Sequence, residues 1–469
     1  MSRVTEVLGK KSTILLFAYS PTGLGHLRVT DALYEGLPKS ITPLLLTSQG
    51  QTVTFLHRIT SVHPIFRAIF EWTQRGWAED IFAYLYRTYL EKNTKLLYEQ
   101  LITIVDQRIE SPAVIVIVST HFGLNHQLAS LKSKIEEEKH AKVILIVQVT
   151  DDSPQHIWYA PNADMIVVPS HSTKEELLKY AQTAKLKQTR IEVLPYPISP
   201  FLTKVLSKSE YKNRLDQLSY ESDEPINFCV PISGAAVGMN HFTRLIDRLR
   251  LNSQRFNFEV VVKFSPNTHH FIDQMLDRPY VNLHASGVDK EVVNKYEKLY
   301  QEKTIALEIT KPSEQAFKAL CDPNLVGGSI LLLSSPVGRQ EYDNLNFLER
   351  HNLIPEKGMS KYLHKLALKN KDIPEEEIAK LLSSASTWRG LRLPQNSKAA
   401  ADFIWWCMRQ NIFPAMLGCR LTRRDDRHSI ELSGIHGVQR FWEKIAEFVA
   451  DTSNTQVAPE KKLFAGNKK

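Results

Sequence analysis

The feature that most constrains the fold is a β-rich apolar run, Ile14–Ala18, ending in the turn Ser20-Pro21-Thr22-Gly23-Leu24-Gly25-His26. The turn passes straight into a helical pattern with Leu27, Thr30, Leu33 and Tyr34 along one side. Strand, glycine turn and helix together bring a ligand to the carboxyl end of a parallel sheet. The glycines let backbone N–H groups approach an anion, and the helix N-terminus adds a favourable dipole. His26 closes the turn with a side chain that bonds phosphate or moves protons near neutral pH.

Further apolar runs alternate with helical stretches: Pro43–Leu46, Ala113–Val118, Lys142–Val149, Met165–Val168 and Ile191–Leu194. They are continuous rather than alternating, which suits strands covered on both faces. A second series follows at Asn227–Pro231, Phe258–Phe264, Val281–His284, Ile305–Ile309 and Ser329–Leu333. After about Ile354 the pattern turns helical, ending in an amphipathic helix marked by Val438, Phe441, Trp442, Ile445 and Phe448. With 469 residues, the chain is expected to form two doubly wound α/β domains plus closing helices. Three prolines in Pro195–Pro200 and the polar stretch Ser207–Glu224 mark the linker.

Composition narrows the class. Cys229, Cys321, Cys407 and Cys419 show no C-x-x-C or zinc spacing and fit buried thiols in a reducing compartment. The polar start MSRVTEVLGKK lacks a signal-peptide core, and no apolar run nears the roughly 20 residues of a membrane span. A cytoplasmic protein is expected. The net charge of +8 favours anionic partners, but it is spread out and unaccompanied by any nucleic-acid-binding signature, so no nucleic-acid partner is expected.

Four further segments bear chemistry. Thr150-Asp151-Asp152 follows a confident strand and sits where ligands bind in such sheets. Asp151 there suits a general base with His156 as a polar neighbour; an Asp-Asp-Ser-Pro turn capping the next element explains it equally. Pro231–Asn240, with Ser233 and Gly234, permits close backbone approach to a phosphate or sugar, or is an ordinary strand-to-helix turn. Lys311 lies just past a strand, with Pro312 favourable at a helix start. Gln340, Glu341 and Asn344 bring amide and carboxylate groups to one helix, which suits sugar hydroxyls; a polar helix start is the plain alternative. Finally, Ile65–Leu101 carries Phe66, Phe70, Trp72, Trp77, Phe82, Tyr84, Tyr86 and Tyr89, with Trp77, Ile81, Tyr84 and Leu85 on one helical face. That face either packs on its own domain or lies in a membrane interface. No Asp-x-Asp motif stands out, and no catalytic metal is expected.

In this order the segments resemble the GT-B glycosyltransferases of family 28. Within that family they are most similar to the diacylglycerol glycosyltransferases: the monogalactosyldiacylglycerol synthases and the processive bacterial glucosyl enzymes. The matching residues are Gly23-Leu24-Gly25-His26, Thr150-Asp151, His156-Ile157-Trp158, Leu194–Phe201, Ile309-Thr310-Lys311-Pro312, and Gln340-Glu341 with Asn344 and Asn346. The similarity runs over about Ile14 to Leu353.

The resemblance implies a GT-B fold: an acceptor-side domain over 1–200, a linker over 201–225, a nucleotide-sugar-binding domain over 226–400, closing helices over 401–450 and a disordered tail over 451–469. It implies transfer of a hexose from a nucleotide sugar, of the UDP-sugar type, to a lipid or lipid-like hydroxyl. The nucleotide sugar is then a co-substrate, with no separate cofactor. His26 and Asp151 would be catalytic. Thr22, Thr150, His156 and Trp158 would lie on the acceptor side. Gly23, Gly25, Ser233, Gly234, Lys311, Pro312, Ser313, Arg339, Gln340, Glu341 and Asn344 would hold the donor.

The chain departs from the family pattern where Ser313 and Glu314 replace the glycines after Lys311-Pro312, where Ala319 stands for an acidic residue, and where Arg339 stands for a glycine. These departures support a rival expectation, a non-catalytic GT-B protein that binds a nucleotide, glycolipid or protein partner. A sugar-nucleotide epimerase of the same architecture fits the segment order less well.

Overall fold

A computed structural model describes residues 1–20, 24–47, 76–109, 111–232, 238–369, 373–421 and 429–454. The first domain is a six-stranded parallel sheet ordered β2-β1-β3-β4-β5-β6. Its strands are β1 (Thr13–Tyr19), β2 (Leu44–Thr47), β3 (Val114–Ser119), β4 (Lys142–Gln148), β5 (Met165–Val168) and β6 (Arg190–Val193). In β3 and β4 every residue after the first is buried, as continuous Val/Ile runs require when helices cover both faces.

The second domain repeats the plan in the order β12-β11-β10-β7-β8-β9. It comprises β7 (Ile226–Pro231), β8 (Phe256–Lys263), β9 (Val281–Ser286), β10 (Leu307–Thr310), β11 (Ile330–Leu333) and β12 (Gly390–Arg392). The fold is therefore α/β with two doubly wound, Rossmann-like domains, the arrangement that the GT-B resemblance implied.

Three features differ from the sequence expectation. β12, only three residues long, lies in the region expected to be helical and pairs with β11. A helix, Lys208–Leu218, occupies the expected linker; Ser207 and Glu210 form a reciprocal capping box at its start. The last helix, Gly437–Asn454, runs past Asp451, where a disordered tail was expected to begin.

That last helix returns to the first domain. Trp442 Nε1 donates to the Leu33 carbonyl at 2.8 Å, and its ring meets Phe17 edge-on. One apolar core runs through both domains: helix Leu24–Glu35 packs on helix Asp289–Glu302, and Tyr196 stacks on Phe317 with ring centroids 3.8 Å apart. Strand order reverses between β1 and β3 in one sheet and between β7 and β10 in the other. Ligand crevices form at such reversals, at the carboxyl ends of strands.

Candidate functional site

The two reversals meet. On the first domain, His26 sits in the opening turn of helix Leu24–Glu35, directly after β1. Thr150 Oγ1, just beyond β4, lies 3.4 Å from His26 Nδ1 and 3.4 Å from Asp151 Oδ2. The Thr150 carbonyl accepts from the Tyr196 hydroxyl at 2.9 Å, which fixes this loop. Trp158 packs beside His26, with ring centroids 6.1 Å apart. His156 does not join them. Its ring stacks on Tyr180 at 3.9 Å, its Nδ1 lies 2.8 Å from Asp80, and its backbone N–H donates to Glu79. His156 thus fastens the loop to helix Gly76–Lys92 rather than serving Asp151.

The end of β3 contributes residues that no sequence motif marks. His121 presents its ring 5.0 Å from that of His26, and Phe122 stands 6.0 Å away. Thr120 Oγ1 bonds Thr30 Oγ1 at 2.8 Å. The available signal was the Ser-Thr-His that ends a buried Val/Ile run, at the carboxyl end of β3 as Thr150-Asp151 is at the carboxyl end of β4.

The second domain supplies the opposite wall. Lys311 and Pro312 follow β10, Ser313 and Glu314 open a short 3-10 turn Glu314–Leu320, and helix Arg339–Arg350 carries Gln340, Glu341 and Asn344. That helix docks on the first domain. Asn344 Nδ2 donates to Asp151 Oδ1 at 2.8 Å and to the Pro312 carbonyl at 3.1 Å, while its Oδ1 accepts from Asp152 N–H at 2.8 Å. Both amide hydrogens of Asn344 are thereby committed, so the side chain bridges the domains instead of meeting sugar hydroxyls. Ser153 bonds Asp343, and Arg350 pairs with Asp152 at 2.5 Å. Arg339 pairs with Glu79 and lies 3.4 Å from Asp343. Its guanidinium is already balanced by carboxylates. Gln340 Oε1, in contrast, is a buried oxygen without a hydrogen-bond partner. Thr22, Gly23, Ser233 and Gly234 lie outside the described residues.

Buried carboxylates face the cleft from both domains. Loss of solvent raises Asp151 to about 6, with Glu314 and Asp343 adding to the rise and the bonds from Asn344 and Thr150 opposing it. Burial raises Glu341 to about 7, opposed by Lys311 and by the Val337 N–H that bonds its Oε2 at 2.6 Å. Both folded-state values exceed the ordinary carboxylate range near 4. From about pH 4 to about pH 7 the folded chain therefore keeps protons that the unfolded chain has lost, and the contribution of these two groups to stability falls as pH rises. The Asp151→Asn/Glu341→Gln variant should show a shallower loss of urea resistance between about pH 4 and pH 7 than the wild type. An unchanged slope would show that neither group titrates in this window. Among the described residues, no cluster of three or more His, Cys, Asp or Glu side chains is arranged to hold a metal ion.

Glu314 stands where the site would most favour a ligand's anion. A methyl group placed on Gly25 would lie 2.8 Å from Glu314 Oε2, so the carboxylate rests directly on the backbone of the glycine turn. Arg28, one helical turn on, holds Glu314 Oε1 at 2.5 Å. Beside this pair is an interdomain cavity of about 60 Å³, far below the ~300 Å³ or more of a small-molecule site.

No protein-family model matches the chain, and no curated protein matches it in sequence. Solved structures with a similar course of chain include UDP-GlcNAc 2-epimerase from Neisseria meningitidis bound to UDP-GlcNAc, at 8% identity and TM-score 0.46, covering 93% of this chain and 100% of that one. Arabidopsis thaliana UGT89C1 complexed with UDP-L-rhamnose aligns at 11% identity and TM-score 0.45, covering 92% and 98%. The pneumococcal O-GlcNAc transferase GtfA, in complex with UDP and GlcNAc, aligns at 11% identity and TM-score 0.40, covering 75% and 60%.

Proposed function

We propose that this chain transfers a hexose from a nucleotide sugar, of the UDP-sugar type, to the hydroxyl of a lipid or lipid-like acceptor, as the family 28 diacylglycerol enzymes it resembles do. The observation that carries the reading is the convergence of His26, Thr150 and Asp151 at one strand-order reversal, across the cleft from Lys311 and Glu341. His26 accepts the proton of the acceptor hydroxyl as that oxygen attacks the anomeric carbon. The bond to the diphosphate breaks, and Lys311 with backbone N–H groups of the glycine turn stabilises the departing charge. The unpartnered oxygen of Gln340 supports a ligand hydroxyl on the donor side. The test is to incubate the protein with labelled UDP-hexoses and diacylglycerol vesicles. Label in the lipid phase is expected; its absence with every UDP-hexose and lipid tried would overturn the transferase reading.

The lipid preference draws support from helix Gly76–Lys92. Ala78, Glu79, Ala83, Arg87 and Leu90 are buried, whereas Trp77, Ile81, Tyr84, Leu85 and Tyr89 are exposed. The aromatic face is therefore not the one that packs inward, and amphipathic helices of this kind seat in the membrane interface. No helix among the described residues is long and apolar enough to cross a membrane. Replacing Ile81, Tyr84 and Leu85 together by Ser should abolish co-sedimentation with anionic vesicles and leave the unfolding midpoint unchanged. Undiminished co-sedimentation would remove this face from the account.

A second reading, a GT-B protein that binds its ligand without transfer, is favoured by the Arg339 and Asn344 contacts. Both side chains are consumed by interdomain bonds. It predicts UDP binding without labelled lipid.

A further inference from the structure

The first sheet has a larger cavity at its other end. β2 begins only at Leu44, one residue before which no pairing exists, and Leu44 stands opposite Leu16. Thr13–Leu15 of β1 therefore pair with β3 on one side and meet no strand residue of β2 on the other. The gap opens into a cavity of about 300 Å³, the size at which small-molecule sites begin. It lies at the amino ends of the strands, whereas His26, Thr150 and Asp151 stand beyond their carboxyl ends.

Two segments bring cations to its wall. Lys10 and Lys11 come from the turn between the first helix, Ser2–Leu8, and β1, and Arg108 closes helix Lys95–Arg108. Ser40 and Thr42, from the stretch before β2, add hydroxyls, and the wall as a whole is more polar than apolar. No Asp or Glu lines it, and none of the three cations has an ion-pair partner among the described residues. Elsewhere on this domain cations are matched: Lys132 with Asp164, Lys139 with Asp106, Lys142 with Glu136. A cation at a helix end also answers that helix's own dipole, which accounts for Arg108 taken singly. It does not account for three cations meeting around a void without a carboxylate. Like charges gathered around a concave site draw an anion into it. The hydroxyls and the polar wall suit a hydrophilic ligand rather than an acyl chain.

We propose that this cavity is a second ligand site, which takes a soluble phosphorylated polyol of the sugar-phosphate class. Lys10, Lys11 and Arg108 bind the phosphate, and Ser40 and Thr42 bond the ligand's hydroxyls. The site stands apart from the cleft and needs neither a nucleotide nor a transfer step.

The test is a calorimetric titration of glucose 6-phosphate into the full-length protein. Saturable binding is expected, unaffected by added UDP and retained by the Lys311→Ala/Glu341→Ala variant. Lys10→Gln/Lys11→Gln/Arg108→Gln should weaken it by about tenfold or more. All three side chains are exposed, so this variant should fold, and a circular dichroism melt checks that it does. Ser40→Ala/Thr42→Val should weaken glucose 6-phosphate several-fold and leave the affinity for inorganic phosphate unchanged. Undiminished binding by the triple-cation variant, displacement by UDP, or no binding at all would overturn the proposal. Equal affinity for glucose 6-phosphate and inorganic phosphate would overturn the assignment to a sugar phosphate. None of these outcomes depends on whether lipid is labelled, so the transferase reading stands or falls separately.

Discussion

Replacing His26 with alanine is expected to lower hexose transfer by about 10²–10⁴-fold, the usual worth of a positioned general base. The folded state should survive, because His26 is only half-buried and its backbone carbonyl still accepts from Thr30 and Thr120. The expectation follows from position. His26 is the imidazole that the β1 turn delivers to the strand-order reversal, with the Thr150 hydroxyl at its Nδ1. Thr150 acts through His26, so Thr150→Val should cost transfer less than His26→Ala and should leave the KM for the acceptor unchanged. Initial rates of lipid labelling read both effects. Normal turnover by His26→Ala would remove this residue from the chemistry and leave Asp151 as the base.

The largest expected effect on stability comes from Lys318. Its ammonium group, 5% exposed, bonds Glu308 at 2.7 Å, Tyr296 at 2.7 Å and Tyr300 at 2.6 Å. Glu308 is fully buried in β10, and the Tyr296 hydroxyl also donates to it. Removing one partner of a buried pair strands the other charge, so Lys318→Met should destabilise by about 3–5 kcal/mol. The Lys318→Met/Glu308→Met variant should recover most of that loss, because no charge is then stranded. Urea denaturation of wild type, single and double variants measures both. A small loss in the single variant would mean that the Tyr296 and Tyr300 hydroxyls suffice to hold Glu308. This network is not remote from the site: Lys318 lies on the same short turn as Glu314 and fixes the segment that sets Glu314 against Gly25.

Much of the fold was legible because buried parallel strands leave a plain signature. Runs such as Val114–Ser119 and Lys142–Gln148 have no polar interruption to obscure them. β12 was missed because three residues, one of them glycine, carry no pattern. Helix Lys208–Leu218 was missed because its sequence is polar; what gives it away is the Ser207-x-x-Glu210 cap and the burial of Arg214, whose guanidinium bonds the carbonyls of Ile305, Pro323, Leu325 and Val326.

The candidate site was legible by position and less so by partner. Thr150, Asp151, Lys311 and Glu341 can be found from the strands they follow or the helix they open. Which charge each one meets cannot. Asn344 and Arg339 read as donor ligands in isolation, yet the docking of two domains gives both of them protein partners. Glu314 was recognisable as an unfavourable charge in the chain. Its pairing with Arg28, 286 residues earlier, depends on the closure of the cleft.

The most direct test of a nucleotide site in this cleft is a calorimetric titration of UDP into the wild type and into the Lys311→Ala/Glu341→Ala variant. The account predicts saturable binding in the micromolar range by the wild type, weakened by about tenfold or more in the variant. Equal binding by the two proteins would put the nucleotide elsewhere, and the absence of binding to any uridine nucleotide would contradict the account.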